Sequence, residues 1–224
     1  PRFRRFPAEP ALPGILAHDI IAGEVPVIFK GAKEERTMKN FSREYPLFAL
    51  CGLNCGLCPM HYMDNPCPGC GGGEGNQSCA IARCSIEHGG IAFCSECPEF
   101  ACARYDGLTD YDSFMSHQNM IRDLRRAGEM GLAAYRAEIE EKTAILQQLL
   151  DGYNDGRRKT FFCTAVSLLE LPDVRRAMEE VREAVEAEQP QDVKERAAIA
   201  VGCFKRAADG REISLKLRKK PKKG

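Results

Sequence analysis

CGLNCGLCPMHYMDNPCPGCGGGEGNQSCAIARCSIEHGGIAFCSECPEFAC, residues 51–102, holds ten of the twelve cysteines in a chain of 224 residues. The order is Cys51-x3-Cys55-x2-Cys58, then Cys67-Pro68-Gly69-Cys70, Cys79-x4-Cys84, Cys94-x2-Cys97 and Cys102. A Cys-x2-Cys turn lets two thiolates reach one metal ion while backbone N–H groups inside the turn stabilise the sulfur charge. In Cys67–Cys70 a proline sets the turn and glycine lets it close tightly. The turns at Cys67–Cys70 and Cys94–Cys97 predict tetrahedral metal sites. All ten cysteines are candidate ligands: Cys51, Cys55, Cys58, Cys67, Cys70, Cys79, Cys84, Cys94, Cys97 and Cys102. Eight suffice for two four-thiolate sites, and spacing does not say which four share an ion. The surplus thiols leave room for a third site, a redox pair or simple packing. His61 and His88 lie in the same window and read as surface or packing histidines ahead of ligands.

Clustered cysteines form disulfides in a secreted chain and bind metal or do redox chemistry in a cytosolic one. The basic start, Pro1-Arg2-Phe3-Arg4-Arg5, is followed by a stretch that Pro13, His18, Asp19, Glu24 and Pro26 interrupt, so no clean apolar signal core follows it. No segment approaches the roughly 20 apolar residues of a membrane span. The expected location is the cytoplasm, with no membrane partner. The rest of the composition is even: 44% hydrophobic, 29% charged and a formal net charge of zero, which argues against a dominant nucleic-acid or membrane field.

Energetics favour metal as well. Large apolar residues are sparse in residues 51–102, glycine is abundant, and ordering such a stretch costs about 1–2 kcal/mol of backbone entropy per residue. A structural zinc contributes roughly 10–16 kcal/mol of apparent binding free energy, enough to offset what so small a core leaves uncovered. Zinc, in about two sites, is favoured over iron–sulfur. A 4Fe–4S cluster is the alternative, because Cys58-Pro59, Cys67-Pro68 and Cys97-Pro98 suit ferredoxin-type ligand loops as well as zinc knuckles. The Cys51-x3-Cys55-x2-Cys58 spacing also matches radical S-adenosylmethionine enzymes. Those need a βα-repeat barrel downstream, and here the remainder is helical in pattern, so the match reads as fortuitous.

Four segments divide the chain: an irregular arm at 1–37, the cysteine-rich module at 38–109, a helical bundle at 110–209, and a short strand with a basic tail at 210–224. Lys33-Glu34-Glu35 is encodable as a purine run just before the Met38 codon, so one expectation is that translation starts at Met38. The other is a genuine N-terminal arm. In the helical half, Ser116 is the expected N-cap of a short helix ending near Gly128. Leu132, Tyr135, Ile139, Leu146 and Leu149 recur at three- and four-residue steps and predict a long amphipathic helix. Asn154-Asp155-Gly156 supplies a turn, and Phe161–Leu169 reads as a buried helix. Leu171-Pro172-Asp173 opens a further helix, and a last one runs from about Asp192 to Asp209. Ile213-Ser-Leu215-Lys-Leu217 alternates like one strand that pairs with an edge of the metal module. The expected fold class is a small α+β protein: a metal-stabilised, zinc-ribbon-like module packed on a mainly α-helical bundle.

Phe48-Ala-Leu-Cys51-Gly-Leu-Asn-Cys55-Gly-Leu-Cys58-Pro, Cys67-Pro-Gly-Cys70, Cys79-Ala-Ile-Ala-Arg-Cys84 and Cys94-Ser-Glu-Cys97-Pro-Glu-Phe-Ala-Cys102 resemble the cysteine-rich bacterial and archaeal proteins of the domain-of-unknown-function 3795 family. Asn154-Asp-Gly-Arg157-Arg158-Lys159-Thr-Phe-Phe-Cys163 is similar to the helical extension of some members. The resemblance spans roughly Met38 to Glu188. It implies metal binding and a cytosolic home, names no substrate, and favours a start at Met38.

The remaining features read blandly. Arg157-Arg158-Lys159 is a solvated turn ahead of a phosphate or acidic-partner grip. Cys163 and Cys203 read as inert core thiols. The tail from Lys216 to Lys223 reads as solubilising, with nucleic-acid affinity as the other possibility. No Ser/His/Asp set, phosphate loop or paired-carboxylate signature stands out, so the expectation leans away from an enzyme. What is expected is a metal-binding protein acting as a binding or regulatory module. An iron–sulfur redox component and a nucleic-acid-binding zinc protein are the alternatives. A protein partner is possible, and no specific partner is identified.

Overall fold

Apolar residues at helical spacing build the larger half of the molecule. The computed structural model describes residues 41–73 and 79–220; the arm expected at 1–37 lies outside them. Helix α1 spans Ala80–Glu87, α2 Met120–Met130, α3 Leu132–Gly152, α4 Lys159–Leu168, α5 Leu171–Glu188 and α6 Val193–Asp209. Gly131 separates α2 from α3. The turn expected at 154–156 forms because the Asn154 carboxamide oxygen accepts from the backbone N–H groups of Gly156 and Arg158, at 3.1 and 3.0 Å. Pro172 occupies the first turn of α5, where its missing N–H costs nothing. Asp192 caps α6 by accepting from Lys194 N and Glu195 N at 2.8 and 2.9 Å.

The helices from α3 to α6 share one core. Leu146 and Leu149 of α3, Phe162 and Val166 of α4, Val174 and Val181 of α5, and Phe204 of α6 are fully buried there. Helices α5 and α6 run along each other as a hairpin. Leu57, from inside the Cys55–Cys58 loop, is fully buried in the same core. The cysteine module is therefore anchored by a side chain set between two of its own candidate ligands. A second cluster joins Phe48, Phe93 and Tyr105 of the module to Met120 and Leu124 of α2 and Tyr135 of α3. A third, smaller one gathers Leu50, Ile81 and Ala82.

The expected α+β class is overturned: among the described residues there is no strand, and the regular structure is helical. Between the cysteines the chain makes 3-10 turns at Cys55–Leu57, Pro59–Tyr62, Cys94–Glu96 and Ala103–Tyr105 in place of a ribbon. The reason is local. The Cys55–Cys58 and Cys94–Cys97 loops each close by a three-residue hydrogen bond, Cys58 N to Cys55 O at 3.1 Å and Cys97 N to Cys94 O at 3.0 Å. The intervals, rich in Gly and Pro, lack the β-branched alternation that a paired strand needs. Helix α1 was not anticipated; its eight residues follow Cys79, include Cys84, and carry too few periods to read.

Two finer expectations also change. Ser116 is not a helix cap: α2 begins later, after Asn119, and Ser116 Oγ donates to Asp112 at 3.3 Å and accepts from Gln118 N at 3.3 Å. The segment Ile213–Leu217 is not a strand. Alternation alone leaves a strand without a partner backbone, and here Ile213 and Leu215 pack on the helical core instead. Beyond them Arg218 is tied to Asp112, whose side chain has no exposed surface. Arg218 N donates to Asp112 Oδ2 at 2.8 Å, Arg218 Nη2 donates to Oδ1 at 2.7 Å, and Asp112 N donates to Arg218 O at 2.8 Å. Lys220 lies 4.9 Å from the Tyr111 ring centre.

Leu57→Ala is expected to lower the stability of the full chain by about 2–5 kcal/mol, as for other buried leucines, measured as a shift in the urea midpoint. Asp112→Ala releases the tail, so trypsin cleaves at Lys216 and Arg218 faster than in the parent chain. The Asp112 contact has a defined acid limit. Burial raises its carboxyl, but hydrogen bonds from the Arg218 side chain and from the Arg218 and His117 backbone outweigh this and hold it at about 2. Its folded value lies below the ordinary 3.8, so the contribution is complete above that pH and is lost as pH falls through about 2.

Candidate metal centre

The loops that carry the cysteines are organised by backbone hydrogen bonds more than by hydrocarbon. Residues 43–47 run between the first two cysteine turns: Gly56 N donates to Leu47 O at 3.0 Å, Cys70 N to Pro46 O at 2.8 Å, and Arg43 N to Gly71 O at 3.1 Å. Cys67 N donates to Met60 O at 3.0 Å and so brings the second turn back beside the first. Gly69, at φ +86°, lies so close to Pro46 that any Cβ would collide with its carbonyl oxygen, and Gly52, at φ +94°, meets Met120 in the same way. Arg43 ties the thiol-bearing loops together: its guanidinium donates to Tyr45 O, Phe48 O and Ala92 O at 3.0, 2.8 and 2.8 Å.

All twelve cysteines are free thiols, and the ten expected ligands fall into two neighbourhoods. Cys51, Cys55, Cys58, Cys67, Cys70 and Cys79 form the first. Burial raises the Cys51 thiol well above its usual range; the Leu53 N–H pulls it back in part, and the neighbouring Cys70, Cys55 and Cys79 push it up. Cys55 is pushed up to about 12 by burial, then by Cys70 and Cys58, against an N–H from Cys70. Burial also raises Cys58, against N–H groups of Met60 and His61. The second neighbourhood is Cys84, Cys94, Cys97 and Cys102, which line one cavity of about 20 Å³. There burial raises Cys94 to about 11, the Tyr105 hydroxyl opposes this, and Cys102, Cys84 and Cys97 add to it.

Among the described residues no group of three or more His, Cys, Asp or Glu side chains already converges tightly enough to hold a metal ion. The chemistry of the donor set nonetheless fits a thiophilic cation. A crowd of half-enclosed thiols is costly to ionise on its own, and a divalent ion that replaces the protons cancels the charge that burial penalises. The N–H groups directed at Cys51, Cys55 and Cys58 suit a sulfur that carries negative charge.

The two histidines sit beside thiols and bond elsewhere. His61 Nδ1 lies 3.1 Å from Cys67 O, and His88 Nδ1 lies 2.8 Å from Cys84 O and 3.5 Å from Cys84 Sγ. Cys163 is buried in the helical core as expected, but it also neighbours Cys58, and burial followed by that thiol raises it to about 12. Cys203 stays in the helical half, with Arg206 Nη2 3.3 Å from its sulfur. The basic turn is largely engaged internally: Arg158 pairs with Asp155 at 3.5 Å and Lys159 Nζ donates to Tyr62 O at 3.0 Å.

Sequence reasoning passed over the polar residues that seat the module. Asn54, between two cysteines, is 2% exposed, and its Nδ2 donates to Asp123 Oδ2 of α2 and to the Tyr135 hydroxyl of α3, both at 2.9 Å. Lys142 of α3 is also 2% exposed. Burial lowers its ammonium pKa, while Asp123, Glu170 and Glu138 oppose that; burial raises Asp123, while Arg122 and Lys142 oppose that. Tyr105 donates to Cys51 O at 3.2 Å. A polar residue inside an otherwise Gly-Leu-Cys pattern was the one available signal for Asn54.

Asn54→Ala is expected to cost about 1–3 kcal/mol, because it strips a buried carboxylate of a donor, and to loosen residues 51–58 first. Hydrogen exchange on the full chain reads both effects. Comparison with known protein families, curated proteins and solved structures returns no match to this chain.

Proposed function

We propose that the chain is a zinc-binding protein of the cytoplasm whose metal is structural, and that the cysteine module serves as a binding or regulatory element. The observation that carries this reading is the gathering of ten free thiols in loops with little hydrocarbon of their own. Among the described residues only Leu50, Ile81 and Ala82 form a buried cluster wholly within the cysteine module, and Leu57 and Phe48 are buried against the helices. Ordering roughly fifty such residues at about 1–2 kcal/mol each is beyond so small a core, and thiolate–metal bonds supply the difference. A cytoplasmic home follows from the need to keep the thiols reduced. Among the described residues no helix is long and apolar enough to cross a membrane. Membership of the domain-of-unknown-function 3795 family belongs to the same proposal and rests on the ordered cysteine string.

Anaerobic purification followed by elemental analysis tests the reading. The expected result is about two zinc ions per chain and a colourless protein. Iron with sulfide, and a broad visible band that bleaches with dithionite, replaces zinc with a 4Fe–4S cluster; a chain with no metal overturns both. Chelation of the zinc form is expected to abolish hydrogen-exchange protection across residues 51–102 while α3–α6, which have their own core, stay protected.

A further inference from the structure

The six-plus-four distribution of thiols answers a question that spacing leaves open. The geometry points to Cys84, Cys94, Cys97 and Cys102 as the complete ligand set of one mononuclear tetrathiolate site for a thiophilic divalent cation, separate from the six thiols nearer the N-terminus. This inference rests on the reading that the module binds metal, and it names the ligands of one site.

Three observations support the set. First, these four cysteines line a single cavity together with Ile81, Ile91, Phe100 and Tyr105, a largely apolar wall. Its volume of about 20 Å³ is near that of one water-sized body. One ion fits such a space. Second, local structure delivers three of the ligands from one short stretch. The 3-10 turn Cys94–Glu96 presents Cys94 and Cys97, Phe100 N donates to Cys97 O at 3.1 Å, and the chain then returns Cys102 just before the turn Ala103–Tyr105. Third, α1 divides the Cys79-x4-Cys84 pair. Cys79 stands at the N-cap in extended conformation and Cys84 on the second turn. Five residues on a helix of 3.6 per turn are about 140° apart, so the two thiols serve different neighbourhoods: Cys79 neighbours Cys51, and Cys84 faces Cys94.

The surroundings suit a site whose four thiolates outweigh the ion's charge. Arg104 lines the same cavity and brings a cation to it. The Tyr105 hydroxyl, which donates to Cys51 O and lies beside the Cys94 sulfur, is a positioning residue. His88, at 3.5 Å from Cys84 Sγ, stays outside the ligand set. Closing four sulfurs on one ion asks for rotation about their Cα–Cβ bonds between staggered wells.

The full chain loaded with an NMR-active cadmium isotope tests the assignment without any substitution. Through-bond correlation links each cadmium signal to the Hβ protons of its own cysteines. The expected result is one signal, at a shift typical of four thiolates, that correlates with Cys84, Cys94, Cys97 and Cys102 alone. Correlation of that signal with Cys79 or with the His88 ring, or the appearance of any of the four on another cadmium, overturns it. A chain that takes up neither cadmium nor zinc overturns the metal-binding reading as a whole, so the two failures are distinguishable. As a second measurement, Cys97→Ala is expected to lose one bound zinc per chain and to expose Cys84, Cys94 and Cys102 to alkylation while Cys51, Cys55 and Cys70 stay protected. Unchanged zinc content in that variant sinks the assignment.

Discussion

The Asn54 carboxamide, held between the Asp123 carboxylate and the Tyr135 hydroxyl, is the contact on which the arrangement of this molecule depends. It joins three segments through one buried polar contact: a cysteine loop, the helix α2 and the helix α3. Each of its members is nearly inaccessible to water, and the buried Lys142 lies beside them. Buried polar groups of this kind are costly unless they satisfy one another, and removing one partner of a buried charged set typically costs about 3–5 kcal/mol. The network therefore rejects any seating of the cysteine loop that leaves Asn54 in another place, and apolar packing of Phe48 and Leu57 on either side completes the joint.

Two opposed demands meet on the other side of that joint. Loops that position thiols for a shared cation need glycine, proline and tight turns, and those features provide little hydrocarbon to bury. Enclosing the thiols makes each harder to ionise, as Cys51, Cys55 and Cys94 show. Backbone N–H groups and the Tyr105 hydroxyl lower that penalty only in part. On the proposed reading, a divalent cation would meet both demands at once, by cross-linking the loops and neutralising the sulfurs. The helical half stands apart from this balance, since its own core is large enough to hold α3 to α6 together.

The helices of the second half were legible because amphipathic periodicity survives in a single sequence. Leu132 to Leu149 and Val174 to Val185 mark faces, and Asp192 and Pro172 mark starts, all of which are local signals. In the tail the deciding partner was distant. Ile213–Leu217 alternates as a strand does, but a strand exists only when another backbone lies beside it, and the tail was instead captured by Asp112, more than a hundred residues away in sequence. Helix α1 escaped notice because eight residues framed by cysteines carry a stronger metal pattern than a helical one. Ser116 looked like a cap because its hydroxyl could serve as one, yet Asp112 had a prior claim on it.

By itself the sequence determined the candidate ligands, the helical half and its turns, since residue type, spacing and period are written within short windows. Tertiary structure alone decided that the module contains turns in place of a ribbon, that Leu57 reaches into the helical core, and that the ten thiols part into six and four. The physical reason lies in range. Cys79 and Cys84 are near neighbours in the chain, but α1 turns them apart, whereas Cys84 and Cys102 are brought together around one cavity only after the loops between them have folded. Spacing records which residues are candidate ligands, and three-dimensional packing decides which of them lie together.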